Sequence, residues 1–436
     1  MRLILTHFGH RYISEQLKIH SEKTLNNNSL TRILLQVLKV KIFEGSITNI
    51  HEDLIGNGYL EIENKMDLRA VEFKYKTNPL ENVERIVFEF TTKCNFNCSH
   101  CRNGFIEKTT ETNIERLKSI ANSFNILNIK RYDFIGGEVS KFGNGWLELA
   151  NHINGNHDKT VTIYTNGWWL ENTDFEAAGK YYTNDSEYLA DLKQNGITHI
   201  LFSIDGHEEV HDKSRNHKGL FKKILSSFER VKQSGINPRI TALIKDTLDP
   251  QTYDTFAEIA SRMYDFPENT NSQTKINKLS RDSTNHFSNF IDIGNGVHIK
   301  KNKYKIDDIP LHLLRCKAFY RPAPSLRIMA NGNLSVCPLL DAGEGFGNIH
   351  TQNIIEILNN FHTSYVYKLH ANNDIKNYMR YFDKDIFGEY YDHICSIRII
   401  LTLLAKHVHS RSSLTRDEIL KINKEIAVYA GYDETK

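Results

Sequence analysis

Cys94, Cys98 and Cys101 stand within eight residues as Cys-Asn-Phe-Asn-Cys-Ser-His-Cys, a CxxxCxxC spacing. Structural zinc sites close on four protein ligands, usually as two close pairs of Cys or His. Here three thiols cluster with no fourth cysteine nearby, although His100 could complete a zinc tetrahedron in a non-catalytic metal-binding adaptor. A cubane iron-sulfur cluster held by three thiolates leaves one iron open to a small molecule, so the spacing points to a cluster that activates a bound cofactor. Three polar motifs follow, each after a short apolar run: Gly136-Gly137-Glu138, Thr165-Asn166-Gly167 and Ser203-Ile204-Asp205-Gly206. Paired glycines let main chain approach a ligand closely, and a carboxylate such as Glu138 accepts hydrogen bonds from an ammonium group. Asp205, Asp341 and Glu344 are the candidate general bases.

These motifs need a scaffold that brings several strand ends to one rim. From residue 85, short apolar runs alternate with amphipathic helices, the pattern of parallel strands with crossover helices. Strands are expected at 86–91, 131–135, 160–165, 197–204, 238–244 and 275–279. Thr112 with Glu115 reads as a capping box opening a helix whose apolar face carries Leu117, Ile120, Ala121 and Phe124. Leu220, Phe221, Ile224, Leu225, Phe228 and Val231 form a second stripe, closed by Gly235. Both stripes are core faces. Six units are too few for a closed eight-fold barrel, so the expected fold is α/β, a partial (β/α)6 TIM-like barrel. Its reactive residues gather where strands end.

With the cysteine loop at the end of residues 86–90, the chain resembles the radical S-adenosylmethionine superfamily. The resemblance implies a [4Fe-4S] cluster on Cys94, Cys98 and Cys101 that binds S-adenosylmethionine and, once reduced, yields a 5'-deoxyadenosyl radical for hydrogen abstraction. It also implies that Gly136, Gly137 and Glu138 hold the cofactor's amino group, with Val139 where proline is commonest. Asn166, Ser203 and Asp205 would contact its carboxylate or ribose, and His100 would pack near adenine. Residues 203–221, SIDGHEEVHDKSRNHKGLF, resemble the matching segment of peptide-modifying members, with Asn216 in place of a usual glycine.

Cys316, Gly332 and Cys337 read Cx15Gx4C, which resembles the opening of the SPASM and Twitch auxiliary-cluster domains. Asn331-Gly332 signals a two-residue hairpin that would place Cys337 on the returning strand near Cys316. Only Cys395 remains of the six cysteines, so the expectation is one auxiliary iron-sulfur cluster on Cys316, Cys337 and Cys395. The expected division is an N-terminal extension at 1–84, a barrel at 85–300 and an auxiliary domain with C-terminal helices at 301–436. A peptide-recognition role is the candidate duty of the extension.

Lys and Arg number 55 against 53 Asp and Glu, a net charge of +2, which offers no electrostatic basis for nucleic acid as the main partner. No run reaches the apolar length of a membrane span and no secretory signal is evident, so a soluble protein is expected. Grouped cysteines suit reducing cytosol. The expected partners are a ribosomally made precursor peptide and an electron donor such as flavodoxin or ferredoxin. The expected reaction is oxidative side-chain cross-linking of the cyclophane, ether or thioether kind, as in darobactin-type cyclases. Peptide epimerisation, sulfatase-type maturation and small-molecule radical dehydrogenation are the other radical chemistries the resemblance allows.

Overall fold

The computed structural model describes residues 2–5, 42–44, 60–63, 83–101, 113–124, 129–143, 145–154, 158–244, 249–281, 286–289, 304–309, 314, 325–337, 346–360, 364–371, 374–391, 394–409, 411 and 413–430. The three N-terminal strands, β1 (Arg2–Leu5), β2 (Ile42–Glu44) and β3 (Leu60–Glu63), form an antiparallel sheet in the order β2-β1-β3. The helix expected at 30–38 lies outside the described residues.

The main sheet begins with β4 (Arg85–Glu89), where alternate residues separate two faces. Ile86 and Phe88 enter the apolar core, while Arg85 turns to the other face and donates to Asp133. After β4 the chain runs through α1 (Ile114–Ser123), β5 (Arg131–Ile135), α2 (Gly145–Asn154) and β6 (Thr160–Thr165). A hairpin, β7 (Thr173–Ala177) and β8 (Lys180–Asn184), precedes α3 (Asp185–Gln194) and β9 (His199–Ser203). Then come α4 (Glu208–Arg215), α5 (Leu220–Gln233), β10 (Asn237–Ile244), α6 (Pro250–Met263), α7 (Ser272–Arg281) and β11 (His286–Asn289). Strands β4, β5, β6, β9, β10 and β11 lie side by side in that order, all parallel. This is the expected six-stranded partial barrel.

Both apolar stripes are core faces. Leu117, Ile120, Ala121 and Phe124 are buried, as are Leu220, Phe221, Ile224, Phe228 and Val231, with Leu225 packed partly buried against them. Gly235 follows α5 at φ 79°, the left-handed conformation that ends a helix.

Three local expectations are corrected. Residues 275–279 lie inside α7, and the sixth strand is β11, further along. Ile276 and Leu279 are three apart and both pack inward, which is helical spacing, and Asn271 Oδ1 accepts from Thr274 N at the helix start. The N-cap of α1 is Asn113, one residue later than expected, and its side chain accepts from Arg116 N at 3.1 Å; Thr112 lies outside the described residues. Glu115 instead pairs with Lys118 on the surface.

The third correction concerns the hairpin near Cys337. Strand β12 (Tyr304–Lys305) precedes β13 (Leu326–Ile328) and β14 (Leu334–Ser335), and Ile328 pairs with Leu334. Met329 N donates to Asn333 O and Gly332 N to Met329 O, both at 2.9 Å, so the loop spans three residues with Gly332 at φ 82°. Cys337 lies beyond the returning strand, not on it, and Cys316 lies outside the described residues. β13 also joins the barrel sheet, parallel beside β4 with Arg327 opposite Val87.

The remainder is helical: α8 (Ile354–Asn360), α9 (Tyr365–Ala371), the short α10 (Lys384–Phe387), α11 (Ile394–Val408) and α12 (Arg416–Ala430), with β15 (Tyr390–Tyr391) pairing β12. A second apolar cluster, including Leu369, Phe387, Ile400, Leu404 and Ile426, holds α9 to α12 together, while Ile354, Ile357 and Leu358 of α8 pack into the main core. Among the described residues no helix is long and apolar enough to cross a membrane.

Candidate functional site

The loop after β4 is held from two sides. On one side Gly136 and Gly137 follow β5 and press main chain against main chain. Gly137 N donates to Thr91 O at 2.6 Å and Glu138 N to Lys93 O at 2.9 Å. A Cβ on Gly137 would sit 2.0 Å from Lys93 O, and one on Gly136 2.8 Å from Thr91 O. The glycine pair therefore permits a close approach, but the partner seen here is the cysteine loop itself.

On the other side, Ser99 N and Ser99 Oγ donate to Ser214 O at 2.9 and 3.3 Å, and Phe96 stacks on His217 with ring centres 4.7 Å apart. Between these clamps Cys98 is buried, Cys101 is half-buried, and Cys94 is exposed as a residue while its sulfur is largely surrounded by protein. Phe96 N donates to Cys94 Sγ at 3.4 Å and Asn166 Nδ2 approaches it at 3.8 Å. The Arg215 guanidinium donates to the Cys98 sulfur. Burial pushes the Cys94 thiol up to about 12 and raises that of Cys98, so these groups stay protonated unless a cation takes them.

Glu138 is completely buried, and four hydrogen bonds converge on its carboxylate. Ser140 N, Ser140 Oγ and Thr165 Oγ1 reach Oε1 at 3.3, 2.6 and 2.9 Å, and Asn166 N reaches Oε2 at 2.7 Å. Burial raises its pKa against these donors. The side chain thus ties the ends of β5 and β6 together and sets the position of Asn166, whose Nδ2 also donates to Asn95 Oδ1 at 2.9 Å. Trp168 completes the brace through Nε1 to Ser140 Oγ at 2.7 Å. Ser140 and Trp168 stand outside every motif in the sequence, so only the fold reveals them. A cavity of about 230 Å³ lies beside this loop, lined by Thr91, Lys93, Lys141, Phe142 and Gly143.

Ser203 ends β9, half-buried at the same rim. Asp205, two residues on, is buried and bound in a fork by Arg215, Nε to Oδ2 at 2.7 Å and Nη2 to Oδ1 at 2.8 Å, with Ser214 Oγ on Oδ2 at 2.8 Å. Arg215 holds the Asp205 carboxyl well below the usual range despite its burial. A carboxylate so occupied is a poor proton acceptor, which corrects its expected part as a base and makes it a positioning group. His100 is buried with Nε2 3.9 Å from Asp205 Oδ2, too long for a hydrogen bond, and burial lowers it to about 4. It stays neutral at pH 7. Asp212 caps α5 through Gly219 N and Phe221 N at 2.5 and 3.0 Å, and Asn216 turns the chain at φ 52°. Asparagine tolerates that conformation, which is why glycine is not required there.

Cys395, on α11, lies close enough to Cys337 for their charges to interact, and Arg398 Nη1 donates to Cys395 Sγ at 3.5 Å. Asp341 and Glu344 lie outside the described residues. Among the described residues no three His, Cys, Asp or Glu side chains converge on a single ion. In a cubane the thiolates bind separate irons, so they need not converge. The donor set of three thiols, with N–H groups aimed at two of their sulfurs, fits a thiolate-held iron cluster.

Parallel strands, a cysteine loop at their rim and buried polar braces make up the candidate site. Residues 88–263 match the family described as the Radical SAM superfamily, and the chain carries a domain of that superfamily. Domains of that superfamily hold a [4Fe-4S] cluster and S-adenosylmethionine. Fe-coproporphyrin III synthase of Methanosarcina barkeri is 28% identical over 174 residues, 39% of this chain and 38% of that protein. The antilisterial bacteriocin subtilosin biosynthesis protein AlbA of Bacillus subtilis is 27% identical over 158 residues, 35% of this chain and 31% of that one. A GTP 3',8-cyclase of Clostridium botulinum is 22% identical over 177 residues, 39% of this chain and 51% of that protein. The match to these curated relatives thus spans about a third to a half of their length. Among solved structures, Streptococcus suis SuiB bound to S-adenosylmethionine has a TM-score of 0.43 at 13% identity, covering 86% of this chain and 84% of that one.

Proposed function

We propose that this chain is a radical S-adenosylmethionine enzyme that modifies a ribosomally synthesised precursor peptide, with oxidative side-chain cross-linking as its reaction. The observation that carries the reading is the clamped loop with Cys94, Cys98 and Cys101 at the rim of six parallel strands. These three residues would hold the [4Fe-4S] cluster. When bound, the cluster and S-adenosylmethionine supply a 5'-deoxyadenosyl radical able to take a hydrogen atom from an unactivated carbon.

The protein's part is to orient and to exclude water. Glu138 Oε2 takes one hydrogen bond, from Asn166 N, where a carboxylate oxygen can accept a second, and the Asn166 side chain faces the cysteine loop, so both suit a cofactor's amino and carboxylate groups. Gly136 and Gly137 keep that floor free of side chains. Ser203 stands at the neighbouring strand end, and neutral His100 is buried near Asp205, where its ring can pack against a cofactor. Asp205 fixes Arg215 instead of moving a proton, which leaves Asp341 and Glu344 as the candidate bases.

The peptide reading is supported by the SIDGHEEVHDKSRN segment and by the relative named for subtilosin biosynthesis. The proximity of Cys337 and Cys395, with Cys316, supports one auxiliary cluster that would accept the substrate's electron. Flavodoxin or ferredoxin in the cytoplasm is the fitting electron source, and the division at residues 84 and 300 is part of the same reading. The relative named as a GTP 3',8-cyclase favours a small-molecule substrate as the second reading.

The test is anaerobic incubation of the reconstituted, dithionite-reduced protein with S-adenosylmethionine and the short peptide encoded beside its gene. The expected product is lighter by a pair of hydrogens, with 5'-deoxyadenosine formed alongside. An unchanged mass that gains deuterium in heavy water replaces cross-linking with epimerisation. Undiminished 5'-deoxyadenosine from the C94A/C98A/C101A protein overturns the cluster assignment.

A further inference from the structure

We propose that Arg215 and Asp205 set the reduction potential of the cluster from opposite sides: Arg215 raises it by donating to the Cys98 sulfur, and Asp205 lowers it by offsetting that cation. The inference rests on the reading that Cys94, Cys98 and Cys101 hold the cluster. Both residues act as positioning groups, through Cys98.

The geometry begins with α4, whose last turn abuts the cysteine loop. Ser214 O takes two hydrogen bonds from Ser99, and Cys98 Sγ lies 4.0 Å from Arg215 O. Main chain on both sides is therefore locked, which fixes where the Arg215 side chain starts. That side chain keeps only 11% of its exposure, and the Asp205 side chain keeps none. Asp205 takes two of the five guanidinium N–H groups, Nε–H and one on Nη2, and the guanidinium also lies within hydrogen-bonding range of the Cys98 sulfur. The left-handed Asn216 then turns the chain away at once, so the fork cannot slide along the helix axis.

The physical consequence follows from charge. Reduction adds one electron to a thiolate-held cluster, and a cation or N–H donor at a ligand sulfur stabilises the more negative state. Guanidinium does not deprotonate, so this influence is present at every working pH. Asp205 brings a full negative charge to the same buried spot, where solvent screens little, and its effect has the opposite sign. A pair that served only to hold the loop would have no such signature: removing either member would loosen the same contact and move the cluster the same way.

The experiment is a mediator titration with dithionite, monitored by electron paramagnetic resonance, on reconstituted full-length protein without S-adenosylmethionine. The proteins are the parent, Arg215→Gln, Asp205→Asn and the double variant, each with iron content measured first. Arg215→Gln is expected to shift the potential to more negative values and Asp205→Asn to more positive ones, with the double variant between the two. Shifts of the same sign in both single variants, or a parental potential in Arg215→Gln at full iron loading, overturn the proposal. A buried charge left alone can prevent folding. Arg215→Lys covers that case, because it keeps the cation opposite Asp205 but cannot span both partners in one planar fork. It is expected to shift the potential downward, and a parental value at full loading overturns the proposal. A parent protein that binds no iron at Cys94, Cys98 and Cys101 is a different failure, that of the cluster reading itself.

Discussion

Gly137 has no room for a side chain, because the nearest backbone atom would lie 2.0 Å from its Cβ. Gly137→Ala must push Lys93, and with it Cys94, out of place. Iron loading under anaerobic reconstitution should fall several-fold, while Gly143→Ala, where nothing lies within 4 Å of a Cβ, should load like the parent. The double glycine was legible in the sequence as a place of close approach. What it approaches was not, since the contact joins residues 44 to 46 apart. His211 makes a second residue-scale prediction. It is buried, its Nδ1 accepts from Asp205 N at 3.3 Å, and its Nε2 has no partner; burial lowers the imidazole to about 4. Its folded pKa lies below the unfolded 6.5, so the stabilisation is complete above pH 6.5 and is lost as pH falls toward 4, while the unfolded chain takes the proton first. The loss is on the order of 3 kcal/mol. Denaturant titrations between pH 7 and 4 should show that slope, and His211→Asn should reduce it, leaving the share that buried His100 contributes.

At the scale of elements, helix faces were more legible than helix ends. The α1 stripe follows from side-chain spacing, but its start depends on which residue meets Arg116 N, and Asn113 does so. Asn113→Ala should therefore cost about 1 kcal/mol and lower the melting temperature, whereas Asn113→Asp, which keeps the acceptor, should leave it nearly unchanged in the same thermal melt. Residues 275–279 show the same limit. A short apolar stretch reads as a strand or a helix until packing decides, and here Leu279 and Ile276 face one side. The β7–β8 hairpin was not foreseen. Its turn places Ala178 and Gly179 at φ 50° and 68°, and the sequence carries an ordinary Ala-Gly where Asn-Gly would have signalled the turn.

At the scale of the whole molecule, the β13–β14 hairpin extends the barrel sheet, and α11 carries Cys395 to Cys337 from 58 positions away. If both hold an auxiliary cluster, reconstituted parent should contain about eight irons per chain and Cys337→Ala/Cys395→Ala about four, the remaining iron being that of the N-terminal trio. Colorimetric iron assay with absorbance near the visible charge-transfer bands checks this, and equal iron in both proteins removes the auxiliary cluster. By itself, the sequence determined the three clustered thiols, the apolar faces of α1 and α5 and five of the six barrel strands, because each depends on residues a few positions apart. Only the tertiary structure decided that Glu138 is enclosed by Ser140, Thr165 and Asn166, that Arg215 reaches both Asp205 and Cys98, and that Cys395 lies within electrostatic range of Cys337. Those arrangements join residues distant in the chain, and hydrogen bonds and burial at such separations leave no periodicity for a sequence to display.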